Sequence, residues 1–273
     1  MLVKLATAPG RDDRPNEDFA AASANAVVLV DGAGVPAGSP TGCKHGVEWY
    51  ARSLATALLG AISRTGAGSL ADGLRATISG MRGLHADTCD LDHAGSPSAT
   101  VIAVRQRAEW LEYLVLADSV LIADIAGGTP TVITDDREAI VGKDLRGPVD
   151  SLPTGTPEHQ AALRTFVEAK QRSRNVPGGF WVASADPAAA DHAFTGVLPL
   201  KDLNGVALIS DGASRLVDRF GLMSWPELLT VLTSSGPDEV IARTRKAEAG
   251  DEDGKRWPRG KAYDDATAVY VQF

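Results

Sequence analysis

The run Ala26-Val27-Val28-Leu29-Val30 leads directly into Asp31-Gly32-Ala33-Gly34, and an unbroken apolar strand closed by a carboxylate constrains this chain more than any other feature. Five consecutive apolar residues read as a fully buried β-strand that stops at Asp31 and a glycine-punctuated turn. A carboxylate at the mouth of a core strand costs free energy unless a cation or a hydrogen-bond donor compensates it. Asp31 is therefore either a metal ligand or the cap of a turn. The theme recurs at Val206-Ala207-Leu208-Ile209-Ser210-Asp211-Gly212.

Between and around these runs the chain alternates helical and strand signals. The polar stretch Arg11 to Asp18 reads as a loop entering a strand near Phe19 to Ala22. Prolines and glycines after Gly34 keep the chain irregular up to a helix over 46–63, with Val47, Tyr50, Leu54, Leu58 and Ile62 at helical spacing. A second helix is predicted over 70–91. Four strands follow, over 99–104, 110–116, 120–125 and 131–133, joined by short links, and together they read as an antiparallel meander with Asp118 at one of its turns. The segment 135–199 holds a helix over 158–173 and a turn into a short strand at 177–182. It is either a lid or recognition flap, or variable packing. Helices over 216–222, 225–234 and 238–248 and a last strand over 266–271 complete the chain, with nothing that looks like a linker between independent domains.

Composition narrows the function classes. At 273 residues, 44% hydrophobic and 23% charged, the chain is long enough to bury a large core, and no apolar run approaches the length of a membrane helix. The start, Met1 to Asp13, has too short an apolar segment for a secretory signal, so the cytoplasm is the expected location. A net charge of −8 disfavours nucleic acid or an anionic membrane as partner. Cys43 and Cys89 are too few for a disulfide framework and read as reduced thiols.

Acids gather at the ends of core strands: Glu17 and Asp18 before one, Asp31 after another, Asp118 at a turn, Asp211 after a third, Asp264 and Asp265 before the last. An all-oxygen cluster suits Mg²⁺ or Mn²⁺, and the scarcity of His and Cys argues against zinc. Two such ions close together lower the pKa of a shared water and clamp a phosphoryl oxygen, which is metal-assisted phosphate-ester hydrolysis.

Six segments in order, Arg14-Pro15-Asn16-Glu17-Asp18, Val30-Asp31-Gly32-Ala33-Gly34, Ser98-Ala99-Thr100, Ala117-Asp118-Ser119, Ser210-Asp211-Gly212 and Asp264-Asp265-Ala266-Thr267, resemble the motifs of PP2C-type (PPM) metal-dependent serine/threonine phosphatases. The resemblance spans nearly the whole chain and implies a single domain over 1–273, an α+β sandwich of two antiparallel sheets flanked by helices, with metals at one end. It implies that Asp31 bridges two Mn²⁺ or Mg²⁺ ions and that the Gly32 carbonyl binds one of them. Asp211 and Asp264 would hold the other, Glu17 would be a ligand directly or through water, and Asp18 would support the shell. Asp118 with Asp211 would match a third site of bacterial members, and a phosphorylated protein would be the substrate.

The chain departs from that pattern in places. The family's phosphate-binding arginine lies four residues before the glutamate, where Asp13 stands, so Arg14 is displaced by one and Arg11 competes with it. Ala117-Asp118-Ser119 replaces Gly-Asp-Ser, and Asp264-Asp265 replaces Asp-Asn, leaving open which aspartate is the ligand. Ala33 stands where eukaryotic members often carry a histidine acid, a role His45 could take from the helix entrance. Arg215 stands where a later aspartate is often found, and Arg259 with Lys261 is a further candidate for holding phosphate. Two rivals remain. A dinucleotide-binding turn at Gly32 fails on glycine spacing, and an inactive PP2C-like module that binds phosphoproteins without hydrolysing them is the alternative to the enzyme.

Overall fold

The computed structural model describes residues 1–36 and 38–273; residue 37, inside the stretch expected to be irregular, lies outside the described residues. Among the described residues, ten strands form two five-stranded sheets, antiparallel throughout. One has the order β2 (Asp18–Ala22), β3 (Ala26–Ala33), β4 (Ser98–Arg107), β5 (Trp110–Leu116), β8 (Phe194–Pro199). The other has the order β1 (Leu2–Ala8), β10 (Ala266–Gln272), β9 (Leu203–Ile209), β6 (Val120–Ile125), β7 (Thr131–Ile133).

The sheets pack face to face, which explains the unbroken apolar runs. Val27 and Leu29 of β3 point between the sheets with Ile102, Leu208 and Val269, while Val28 and Val30 point outward onto α1 (Gly46–Ile62) and α2 (Leu70–His85). In β9, Val206 and Leu208 face inward. Ala207 and Ile209 face α6 (Asp211–Asp218), α7 (Trp225–Ser234) and α8 (Pro237–Ala249). A strand covered on both faces has no reason to alternate polar and apolar residues. The resulting helix–sheet–sheet–helix layering is the α+β sandwich expected from the sequence. Among the described residues, no helix is long and apolar enough to cross a membrane.

Several boundaries differ from the sequence expectations. β3 runs through Asp31 to Ala33 because its pairing with β4 continues from Asp31 opposite Thr100 to Ala33 opposite Ser98. α2 ends at His85 rather than at residue 91, and α6 begins at Asp211 rather than 216. The expected meander is split. β4 pairs β5 and β6 pairs β7, but the turn at Asp118 carries the chain from one sheet to the other. Ala117 makes that crossing at φ +69°, a left-handed conformation glycine adopts more easily, which gives a local reason for the glycine of the resembled motif.

The segment 135–199 contributes α3 (Arg137–Gly142), α4 (Gly147–Asp150), α5 (Pro157–Gln171) and β8. The expected strand at 177–182 is absent; there, Arg174 and Phe180 and then Ala99 and Ala183 make isolated bridges.

Candidate active site

Asp18 and Asp31 are cross-strand partners at the start of β2 and near the end of β3, a register that sets both carboxylates on one face. Asp211 arrives from the other sheet, in the first turn of α6 directly after β9, and its amide lies 3.4 Å from Asp31 Oδ2. The sheet-crossing turn adds Asp118. Both sheets thus deliver carboxylates to one end of the sandwich.

Asp18 is 4% exposed, and among the described residues neither of its carboxylate oxygens has a hydrogen-bond partner. Two hydroxyls lie beside it: Ser210 Oγ accepts from the Thr267 amide at 2.9 Å, and the Thr267 hydroxyl pairs with that of Thr7 at 2.7 Å. Burial, opposed by those hydroxyls and reinforced by Asp211 and Asp265, pushes the Asp18 carboxyl up to about 7. Asp31 is raised well above the ordinary range by burial and then by Asp18, Asp211 and Asp264. Asp118 is raised likewise by burial, Glu138 and Asp211, and Asp211 by burial and Asp264. Carboxylates held this close without compensating cations are expensive, and an all-oxygen, negatively charged donor set of this kind fits a hard divalent cation.

Asp264 has a different environment. Arg215 and Lys261 take its two oxygens, Lys261 Nζ at 2.6 Å from Oδ1, and Arg215 also binds Glu248 at 2.7 Å. Burial alone would raise this carboxyl, but Lys261 and Arg215 outweigh it and hold it below the ordinary value. Asp264 therefore fits a cation less well than Asp18, Asp31 and Asp211 do. Its neighbour Asp265 accepts from the amides of Gly10 and Glu17, both at 2.7 Å. Asp265 ties the 10–17 loop to the last strand, with each of its oxygens accepting a backbone amide.

Glu17 is half-buried beside this group, raised by burial while Lys261 and Arg14 pull it down. Its carbonyl accepts from the Gly32 amide at 3.1 Å. A Cβ on Gly32 would come within 2.5 Å of Val47 Cγ1 and 2.7 Å of that carbonyl, so only glycine allows the loop and α1 to close on each other here.

Among the arginines, Arg14 is exposed and its charge is felt at Glu17, whereas Arg11 is tied to Asp13 by two bonds of 2.8 and 2.9 Å. Arg259 does not reach the site. It is 1% exposed, and its guanidinium is spent on Asp251 and on the carbonyls of Ala262, Trp257, Glu248 and Asp251. The His45 ring stacks on Trp49, with Nδ1 turned toward two thiols. Sequence reasoning missed Lys170 and Glu138, which pair with each other beside Asp118 from α5 and α3. No local pattern marks either residue, because only the tertiary fold brings 135–199 to this end.

A family model described as Protein phosphatase 2C matches residues 8–243 and so stops short of Asp264. The Mycobacterium tuberculosis serine/threonine phosphatase PstP/Ppp superposes with a TM-score of 0.58 at 17% identity, covering 100% of this chain and 98% of that one. The catalytic domain of PstP in complex with two manganese ions gives 0.57 at 18% identity, with 99% and 97% covered. Staphylococcus aureus Stp1, a serine/threonine phosphatase, gives 0.59 at 14% identity, with 99% and 94% covered. No curated protein sequence matches the chain. At such identities these likenesses carry the fold.

Proposed function

Because the chain belongs to the protein phosphatase 2C family, we propose that it is a single-domain phosphatase. On this reading it hydrolyses phosphoserine and phosphothreonine esters of proteins at the carboxylate cluster with the help of Mn²⁺ or Mg²⁺. The observation that carries this reading is Asp18, whose buried carboxylate has no hydrogen-bond partner among the described residues and stands opposite Asp31. Asp31 and Asp211, with Glu17 and the Gly32 carbonyl, are the residues that would hold the ions; Asp18 supports them, and Asp118 would serve a third. Mn²⁺ or Mg²⁺ held there would lower the pKa of a coordinated water toward neutral pH and would supply positive charge for the phosphoryl oxygens. The manganese-bound structure of PstP, with the same fold, supports the choice of ion.

The chain's own residues supply position and charge. Arg14, exposed beside Glu17, is free to meet the incoming phosphate, while Arg11 is held by Asp13. Asp265 anchors the Glu17 backbone, and α6 fixes Asp211 against Asp31. The alternative, a phosphoprotein-binding module without turnover, draws on one observation: Lys261 and Arg215 already neutralise Asp264.

Hydrolysis of p-nitrophenyl phosphate and a phosphothreonine peptide in EDTA, Mg²⁺ or Mn²⁺ tests the proposal. Turnover that requires the metal and falls at least about a hundredfold in Asp211→Asn is expected. Binding of the peptide without turnover in any metal, by a folded protein, would select the alternative.

A further inference from the structure

Cys43-Lys44-His45 lies at the entrance of α1, and His85 to Cys89 spans the last residue of α2 and the turn after it. The fold brings the two segments together. Cys43 Sγ is 3.4 Å from Cys89 Sγ, 3.7 Å from His45 Nδ1 and 3.8 Å from His85 Nδ1, while Cys89 Sγ is 3.3 Å from His45 Nδ1. All four ligand atoms lie within 4.8 Å of one another, and among the described residues this is the one group of metal-ligating side chains gathered so tightly.

With Zn–S near 2.3 Å and Zn–N near 2.0–2.1 Å, a tetrahedral two-sulfur, two-nitrogen site has ligand-to-ligand edges of about 3.4–3.8 Å. Four of the six ligand-to-ligand edges fall at or close to that range, and the other two lie within 4.8 Å. The surroundings favour ligation too. Cys43 and His85 are buried. The imidazoles are held by packing: His45 stacks on Trp49 with centroids 4.3 Å apart, and Trp49 meets the His85 ring edge-on at 5.3 Å.

We propose that Cys43, His45, His85 and Cys89 form a second metal site, separate from the carboxylates, that takes a borderline-soft divalent cation, Zn²⁺ foremost. Thiolate and imidazole ligands select zinc or cobalt over Mg²⁺ and Mn²⁺, so the two sites sort ions by chemistry. Binding displaces the thiol protons to solvent and leaves no protein ligand position open, so the ion's role is structural. It staples the entrance of α1 to the end of α2. Backbone bonds already join the same loops, with the Asp90 amide on the Gly42 carbonyl at 2.8 Å. The staple lies two residues from Val47, which backs Gly32.

The test uses the full chain, reduced, stripped of metal and titrated with Co²⁺ in the presence of excess Mg²⁺. About one equivalent should produce thiolate-to-cobalt charge transfer and the intense ligand-field bands of a tetrahedral ion. Zn²⁺ should bleach both and raise the Tm. The signature should persist in Asp211→Asn and vanish in Cys89→Ser. Absence of the charge-transfer band in wild-type protein whose thiols titrate as free overturns the proposal without recourse to any variant. So does a band that survives in both Cys43→Ser and Cys89→Ser. Isolation of the chain free of zinc with a Cys43–Cys89 disulfide would likewise overturn it.

Discussion

Replacing Arg259 with alanine separates a phosphate-binding role from a structural one. Its side chain is 1% exposed and that of its partner Asp251 is 6% exposed, with 2.9 Å between Nη1 and Oδ2. Nε donates to the Ala262 carbonyl at 3.0 Å, Nη1 to the Trp257 carbonyl at 2.9 Å, and Nη2 to the carbonyls of Glu248 and Asp251. The alanine variant leaves a buried carboxylate short of its counter-charge, although the amides of Arg256 and Trp257 still reach it. Removing one partner of a buried pair costs about 3–5 kcal/mol. The predicted loss lies in that range, and Arg259→Lys should recover only part of it, since one ammonium cannot reproduce the planar fork. Urea unfolding followed by tryptophan fluorescence measures the loss, and KM for p-nitrophenyl phosphate on the folded variant should stay within about twofold of wild type. A variant with wild-type stability and a KM raised tenfold would refute the structural assignment and restore Arg259 to phosphate binding.

The carboxylate cluster predicts an unusual pH dependence for the metal-free protein. Asp18, Asp31, Asp118 and Asp211 all titrate above their ordinary values in the fold. The native state therefore binds more protons than the unfolded chain from about pH 4 up to and beyond 7, and stability falls as pH rises through that window. Thermal unfolding in EDTA should give a lower Tm at about pH 8 than at about pH 5, with Mn²⁺ restoring the loss at the higher pH; a flat profile in EDTA would contradict the uncompensated cluster. Asp18→Asn, which removes one of the crowded charges, should raise the metal-free Tm at neutral pH while weakening Mn²⁺-dependent turnover. Gly212→Ala should destabilise by about 1–3 kcal/mol, since the added Cβ would sit 1.9 Å from the Asp265 carbonyl; chemical denaturation checks it, and a neutral result would mean that the 211–212 turn moves freely.

What could be read from sequence tracks how many neighbours an element has. β3, β4 and β9 are covered on both faces and announce themselves as apolar runs. β1 and β8 are edge strands, largely exposed along Leu2–Ala8 and Phe194–Pro199, and no alternation marks them. The meander error has the same root. Strands buried on both faces show no preference between the partner beside them and the sheet across from them, so the crossing at Ala117 leaves no trace in local pattern. The Cys-His cluster escaped because its two halves lie at the entrance of one helix and around the end of another, and neither half, read alone, has the spacing of a metal motif.

The acids of the site were legible as residue types at strand ends, but their cations were not, and the cations decide what each acid can do. Arg215 and Lys261 reach Asp264 from α6 and from the loop before β10, a pairing set by the packing of helix against sheet. The protein thereby meets the same electrostatic problem in two ways at one end of the sandwich. The charge of Asp264 is balanced internally at some cost in side-chain freedom, whereas those of Asp18 and Asp31 are left unbalanced, and that of Asp211 only partly offset by Arg215 and Lys261, at a cost in stability. A divalent cation gains most where compensation is missing, so the first ion should settle on the Asp18, Asp31 and Asp211 side. Recruiting Asp264 to a second ion requires displacing Lys261 from it, and Lys261→Ala should accordingly tighten binding of the second Mn²⁺ more than the first in a calorimetric titration.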